Sequence, residues 1–313
     1  MILSLRGQAL KPSPTLALAA KAKELTAAGH DVISLSVGEP DWDTYDNVKA
    51  AGIDALKEGM TKYTPASGIP ELRKVIAEVE GASLKLEYKP SQVTVSSGAK
   101  FILFSALQML INPGDEVLIP APYWVSYPTM VELADGKPVM VPSTEETGFR
   151  VRKKDLEAKV TSKTKVLILN SPSNPSGVVY SEEDLKEIGQ FLESHPHVLL
   201  ISDDIYNRLS FASQGISAHI LHQFPHLKDR VIVVNGLSKT YSMTGWRLGW
   251  AMGPELVINA MSNYQSQSVS CVAGFTQVAA IEALQKSGVQ FLKTLAELER
   301  RRDFIFTGIN DIP

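Results

Sequence analysis

Short runs of apolar, often β-branched residues recur along the chain, at Val93–Val95, Glu116–Ile119, Pro138–Val141, Lys165–Asn170, Val198–Ser202, Val231–Asn235 and Arg247–Ala251. Their length and flanking turn residues predict buried strands. Between most of them lie stretches with apolar residues at helical spacing, such as Lys100–Ile111, Glu182–Ser194 and Pro254–Gln267. Strand–helix alternation of this kind predicts an α/β fold with a mostly parallel sheet covered on both faces. Ser181-Glu-Glu-Asp184 reads as a capping box that starts one helix, and Asn112-Pro-Gly-Asp115 as a loop. A longer helical pattern, Val289–Thr307, runs into the final residues Gly308–Pro313.

Composition narrows the function classes. A chain of 313 residues can bury a large core and carry an appendage. The formal charge of −3 and scattered basic residues give no sign of a nucleic-acid partner. The densest basic run, Arg300–Arg302, reads as a solvated helix face. No run approaches the roughly 20 apolar residues of a membrane span, and the start, MILSLRGQALKPSPT, is too short in apolar residues for a secretory signal. The expectation is a soluble, cytoplasmic chain, with an organelle as the alternative. Cys271 stands alone, which rules out an internal disulfide, and it reads as a small buried apolar residue. No metal site is expected.

The candidate chemistry falls just after predicted strands, where open parallel sheets collect ligands. Gly236–Trp250, GLSKTYSMTGWRLGW, follows the apolar run Val231–Val234. Lys239, set among small residues, is well sited to form a Schiff base with an aldehyde cofactor, and Arg247 offers a fixed fork of donors for phosphate. Ser96-Ser-Gly-Ala-Lys100 opens a helix and forms either an anion site or an ordinary N-cap. Trp124, in Ala121-Pro-Tyr-Trp-Val-Ser-Tyr127, reads on its own as core or interface packing more readily than as a ring-stacking platform. Turn chemistry accounts for Asn170-Ser-Pro-Ser-Asn-Pro-Ser-Gly177. Asp203, in Ser202-Asp-Asp-Ile-Tyr206, is a carboxylate at a strand end that is costly to bury without a cation or strong donor, unless the pair of aspartates starts a helix.

Taken in order, these segments resemble the class I family of fold-type I, pyridoxal-phosphate-dependent aminotransferases, around the bacterial-type aspartate aminotransferases. The resemblance runs through all of the chain and implies a seven-stranded sheet sandwiched by helices, with an incomplete small domain. It implies pyridoxal 5'-phosphate held on Lys239, its phosphate by Ser97, Gly98, Ala99, Ser238 and Arg247, and its ring against Trp124. It also implies Asp203 at the ring nitrogen and Asn174 and Tyr206 at the ring oxygen. Lys239, Asp203 and Tyr206 form the implied catalytic set. Asp204 departs from the glutamate usual in the family. Tyr63, otherwise an ordinary turn aromatic, is implied to reach the phosphate in a partner's site, so a homodimer with shared sites is expected. Gly38, Trp124, Asn174, Lys100, Ser13 and Thr15 are implied to meet substrate. Lys100, Ser13 and Thr15 favour a donor with a distal carboxylate, although Lys100 alone reads as a solvated residue.

The resemblance assigns residues 1–45 to an N-terminal, substrate-closing segment, 46–288 to the large cofactor-binding domain and 289–313 to a helix leading to a small domain. It places the arginine that clamps the substrate α-carboxylate beyond residue 313. The expectation is that this chain holds cofactor more readily than it turns over substrate and leaves apolar surface on its last helix. The function implied is transfer of an amino group between an aspartate- or glutamate-type amino acid and a 2-oxo acid. The alternatives are a prephenate, alanine or aromatic aminotransferase, a β-lyase on the same scaffold, or a non-catalytic cofactor-binding form.

Overall fold

The computed structural model describes residues 2–10, 12, 14–211 and 216–312. Seven strands form one sheet: β1 Val93–Ser96, β2 Glu116–Pro120, β3 Lys137–Val141, β4 Thr164–Asn170, β5 Leu199–Asp203, β6 Val231–Gly236 and β7 Gly249–Met252. Their spatial order is β1-β7-β6-β5-β4-β2-β3. β7 runs antiparallel to both of its neighbours, β1 and β6, and every other pairing is parallel.

The central strands read as continuous apolar runs because both faces are buried. Alternate residues sort cleanly between two cores. Leu118, Leu167, Leu169, Leu200, Val231 and Val233 enter one cluster. Their neighbours Val117, Ile119, Val166, Ile168, Ile201, Ile232 and Val234 enter the other. The first cluster is closed by Leu72 and Ile76 of the helix Pro70–Leu84, Ile188 and Phe191 of Glu182–Ser194, and Ala279, Ala280 and Ala283 of Gly274–Lys286. The second is closed by Ile102, Leu103 and Leu107 of Ala99–Leu110, Met130 and Val131 of Ser126–Leu133, and Ile258 and Met261 of Glu255–Ser266. Each fully buried Val, Leu, Ile, Phe or Met among them contributes roughly 1.5–3 kcal/mol of transfer free energy.

The predicted strands and helices are present, with small shifts at their ends. The largest shift is at β7, which begins at Gly249 and not at Arg247. Arg247 sits in the left-handed region, φ 52°, as the end of a short 3-10 turn, so it precedes the strand. The capping box forms as expected: Ser181 Oγ accepts from the Asp184 amide at 3.2 Å, and Asp184 Oδ2 accepts from the Ser181 amide at 2.9 Å. Asp203 and Asp204 are followed by a turn, not a helix. Cys271 is half-buried, not buried as expected, because it lines an open cleft beside Trp246 and Phe275.

Residues 28–45 run largely without regular structure from the helix Pro14–Ala27 to the helix Asp46–Lys57. Thr44 Oγ1 donates to the Ser242 carbonyl at 2.6 Å and accepts from Trp246 Nε1 at 3.0 Å. The last helix, Gly288–Asn310, packs through Phe291 and Leu295, while Leu292, Phe304, Phe306 and Ile309 are exposed. Arg301 is not a free solvated cation. It binds both oxygens of Asp41 at 2.9 Å and Glu297 at 2.8 Å. No helix among the described residues is long and apolar enough to cross a membrane.

One position tests the packing directly. A Cβ at Gly189, on the buried face of Glu182–Ser194, would collide with the Phe224 ring. Gly189→Ala should therefore lower stability by about 1–3 kcal/mol, read as a lower urea midpoint at unchanged slope.

Candidate active site

The topology gathers the candidate residues at one edge of the sheet. β1, β2, β4, β5 and β6 point the same way and end there at Ser96, Pro120, Asn170, Asp203 and Gly236. β7, running the other way, starts there, with Gly249 registered against both Ser96 and Gly236. Its antiparallel direction brings Arg247 beside the residues that follow the parallel strands. A cavity of about 310 Å³ opens at this edge, lined by Thr15, Gly38, Ala99, Lys100, Trp124, Asn174, Asp203, Tyr206, Ser238, Lys239 and Arg247 among others. A wider cleft of about 810 Å³ shares Arg247, Thr244 and Glu39 with it.

Around Arg247, donors converge. Gly98, φ 87°, precedes the helix Ala99–Leu110, whose first amides lack intrahelical partners. Arg247 Nη1 donates to the Thr244 carbonyl at 2.8 Å and Nη2 to the Ser97 carbonyl at 3.5 Å. A Cβ at Gly98 would collide with the Arg247 guanidinium, and one at Gly249 with the Ala99 amide. Both positions therefore stay without side chains, which leaves the guanidinium and a helix N-terminus side by side. That pairing places positive charge and unpartnered N–H donors together, the chemistry an anion requires.

Asp203 is the most buried carboxylate in the cavity wall, 3% exposed. Burial pushes its carboxyl up to about 6, against hydrogen bonds from the Tyr127 hydroxyl at 2.6 Å and the Ile205 amide at 3.3 Å. Among the described residues it has no ion-pair partner. Asn170 fixes the strand ends around it: its Nδ2 donates to the Asp203 carbonyl at 2.8 Å, and its Oδ1 accepts from the Asn174 amide at 2.8 Å. Asn174 Nδ2 then donates to the Tyr206 hydroxyl at 3.3 Å. Burial raises the Tyr206 phenol, and the Asn174 bond opposes that rise.

Lys239 follows β6, and its Nζ donates to the Gly38 carbonyl at 2.5 Å and lies 5.9 Å from the centroid of the Tyr206 ring. Burial lowers its pKa; Glu39 opposes and Arg247 reinforces that shift. Lys100 is likewise lowered by burial and by Arg247, and its Nζ stands 4.8 Å over the Trp124 ring. It lines the cavity while staying exposed to solvent. Ser238 is buried beside Lys239. Tyr63 stands apart, 92% exposed and outside the lining of this cavity. Ser13 lies outside the described residues.

Several lining residues escaped the sequence reading. Tyr127 sits in the same string as Trp124, but nothing in its spacing marked it as the partner of a carboxylate 76 residues away. Asn170 was visible only as a turn residue. Glu39 accepts from Thr244 Oγ1 at 2.9 Å, a contact 205 residues apart in sequence.

The architecture matches that of the pyridoxal-phosphate-dependent transferases. Aspartate aminotransferase from Rhizobium meliloti superposes with a TM-score of 0.95 at 41% identity, covering 100% of this chain and 78% of its own. The Thermus thermophilus aspartate aminotransferase with maleate gives 0.94 at 40% identity, covering 99% and 80%. The family described as aminotransferase class I and II matches residues 30–312. An aspartate/prephenate aminotransferase from Cereibacter sphaeroides is 50% identical over 96% of this chain and 75% of its own length. The Bacillus subtilis aspartate aminotransferase is 44% identical over 100% and 79%. The chain belongs to the class I and II aminotransferases, and it is an enzyme of the transferase class.

Asp203 makes a pH-dependent prediction. Its folded pKa lies above the ordinary carboxylate value of 3.8, so the folded state holds the extra proton between about pH 4 and 6. Stability is then lost as pH rises through that window and stays lost above it. Asp203→Asn should gain roughly 1–3 kcal/mol over the parent at pH 8 and little at pH 4, measured by urea denaturation at both.

Proposed function

We propose that this chain binds pyridoxal 5'-phosphate at the cavity and exchanges amino groups between aspartate- or glutamate-type amino acids and 2-oxo acids. The observation that carries the reading is a buried Asp203 without a cation, in one cavity with a half-buried Lys239 of lowered pKa and an anion cradle at Arg247. The group fits on this chain's own features. The side chains missing at Gly98 and Gly249 keep the cradle open for a phosphate. Asp203 offers negative charge where a protonated ring nitrogen needs it.

Bound there, pyridoxal 5'-phosphate supplies an aldehyde that captures amines and a ring that accepts electrons released at an amino acid's α-carbon. The protein does the rest. Arg247, the Ser97–Gly98–Ala99 turn and the Ser238 hydroxyl hold the phosphate. The Trp124 ring offers a flat face, and Tyr206 and Asn174 offer donors to the ring oxygen. Lys239 Nζ, with its pKa lowered by burial, is more readily neutral than an exposed lysine. As a free amine it can act as nucleophile and then carry a proton to and from the substrate α-carbon. Gly38 and Thr15 close the cavity from the N-terminal side and limit water.

Lys100, beside Trp124 and lining the same cavity as Thr15, supports a substrate with a second carboxylate. A second amino-group acceptor, prephenate, is favoured by the relatives named aspartate/prephenate aminotransferase at 50% and 44% identity. The exposure of Tyr63 supports a homodimer in which a second copy receives that side chain. The lone Cys271 supports a reducing, cytoplasmic setting.

The visible spectrum of purified protein with pyridoxal 5'-phosphate tests the reading. A band should form, be absent in Lys239→Ala, and change on adding aspartate. A band unmoved by aspartate, glutamate or any other amino donor would sink the transfer reaction, and no band would sink cofactor binding. Lys100→Ala should raise KM for aspartate about tenfold, the loss of roughly 1.4 kcal/mol of ion pairing. The same variant should leave alanine turnover nearly unchanged in parallel steady-state assays.

A further inference from the structure

The chemistry proposed above leaves one buried side chain in the cavity wall without a task. Tyr127 lies in the first turn of the helix Ser126–Leu133 and is 2% exposed. Its hydroxyl donates to Asp203 Oδ2 at 2.6 Å. Its ring meets the Trp124 ring edge-on, with centroids 5.4 Å apart and planes at 87°. One side chain therefore touches both the aromatic wall and the buried carboxylate. A phenol this deep needs an acceptor, and among the described residues its recorded acceptor is Asp203. The other carboxylate oxygen, Oδ1, has only the longer 3.3 Å contact with the Ile205 amide.

We propose that Tyr127 is a positioning residue for the transfer reaction: its hydroxyl locks Asp203 through Oδ2, which leaves Oδ1 as the oxygen offered to a cationic ring nitrogen, while its ring packs against Trp124. The inference rests on the reading that Asp203 faces such a nitrogen.

The physical argument is a competition at one carboxylate. Burial favours its neutral form, and a hydrogen bond donated to the ionised form opposes burial. Tyr127 supplies the shortest such bond. Asp204 and Tyr206, from the same strand end, interact with Asp203 electrostatically and offer it no hydrogen-bond donor. Lys239, Lys100, Arg247 and Glu39 share the cavity from the elements around it, and none of the three cations pairs with Asp203. Without the Tyr127 hydroxyl, the carboxylate would lose charge at a higher pH, and with it the hold on a ring cation.

Tyr127→Phe removes the hydroxyl and keeps the ring against Trp124. Two titrations read the result: the Asp203 carboxyl signal by carbon NMR in cofactor-free protein, and the affinity for pyridoxal 5'-phosphate against pH. In the variant the Asp203 midpoint should rise by about one pH unit, and the acid limb of affinity should move with it. Loss of packing alone moves neither midpoint, so unchanged midpoints overturn the proposal. A shifted Asp203 midpoint combined with no acid limb in the parent, and full affinity in Asp203→Asn, overturns the nitrogen-partner reading and the positioning role with it. The moved midpoint distinguishes that failure from the first. The parent protein provides a check that does not depend on the variant folding. A downfield phenolic proton signal should fade as Asp203 is protonated, and a signal indifferent to that titration overturns the bond.

Discussion

A carboxylate stripped of water at the end of a central strand is the constraint around which this site is arranged. Asp203 keeps its charge at neutral pH only with help, because burial acts against it. The help comes from the Tyr127 hydroxyl and the Ile205 amide, while Asn170 ties the ends of β4 and β5 together through the Asp203 carbonyl. The same dry surroundings act in the opposite sense on Lys239, whose ammonium form they disfavour. One physical cause thus prepares an acceptor for a cation at one wall and a readily neutral amine at another. An acid and a base set apart by environment in this way mark a reactive site.

The sheet makes that arrangement possible. Parallel strands deliver loops to one edge, and β7 alone is reversed, which delivers its beginning to the same edge. Arg247 enters in a left-handed conformation immediately before that strand. Gly98 and Gly249 let the guanidinium, the Ala99 amide and the strand end come within contact distance. The cradle is therefore made by backbone proximity as much as by the arginine itself.

The N-terminal segment ties the site to the rest of the chain. The Gly38 carbonyl accepts from Lys239, Glu39 accepts from Thr244, and Thr44 links Ser242 to Trp246. Asp41 carries this connection onward to Arg301 of the last helix. Residues 38–44 thus make separate polar contacts with Lys239, Ser242, Thr244 and Trp246 at the site and with Arg301 of the helix Gly288–Asn310.

By itself, the sequence determined the elements and their chemistry. Apolar runs such as Lys165–Asn170 and Val231–Asn235 read as strands buried on both faces, and Ser181–Asp184 as the start of a helix, because local length, spacing and flanking residues carry those signals. Lys239 and Arg247 were legible by their own chemistry, while Trp124 and Asn174 became candidates only through the resemblance carried by the strings they belong to. Only the tertiary structure decided what faces what. The reversal of β7, the Tyr127–Asp203 bond, the Glu39–Thr244 contact and the Arg301–Asp41 clamp each join residues far apart in the chain. Strand order and direction bring such pairs together, and no local pattern encodes them. The half-burial of Cys271 and the placement of Lys100 against Trp124 belong with them, since exposure is a property of the assembled surface and not of the residue.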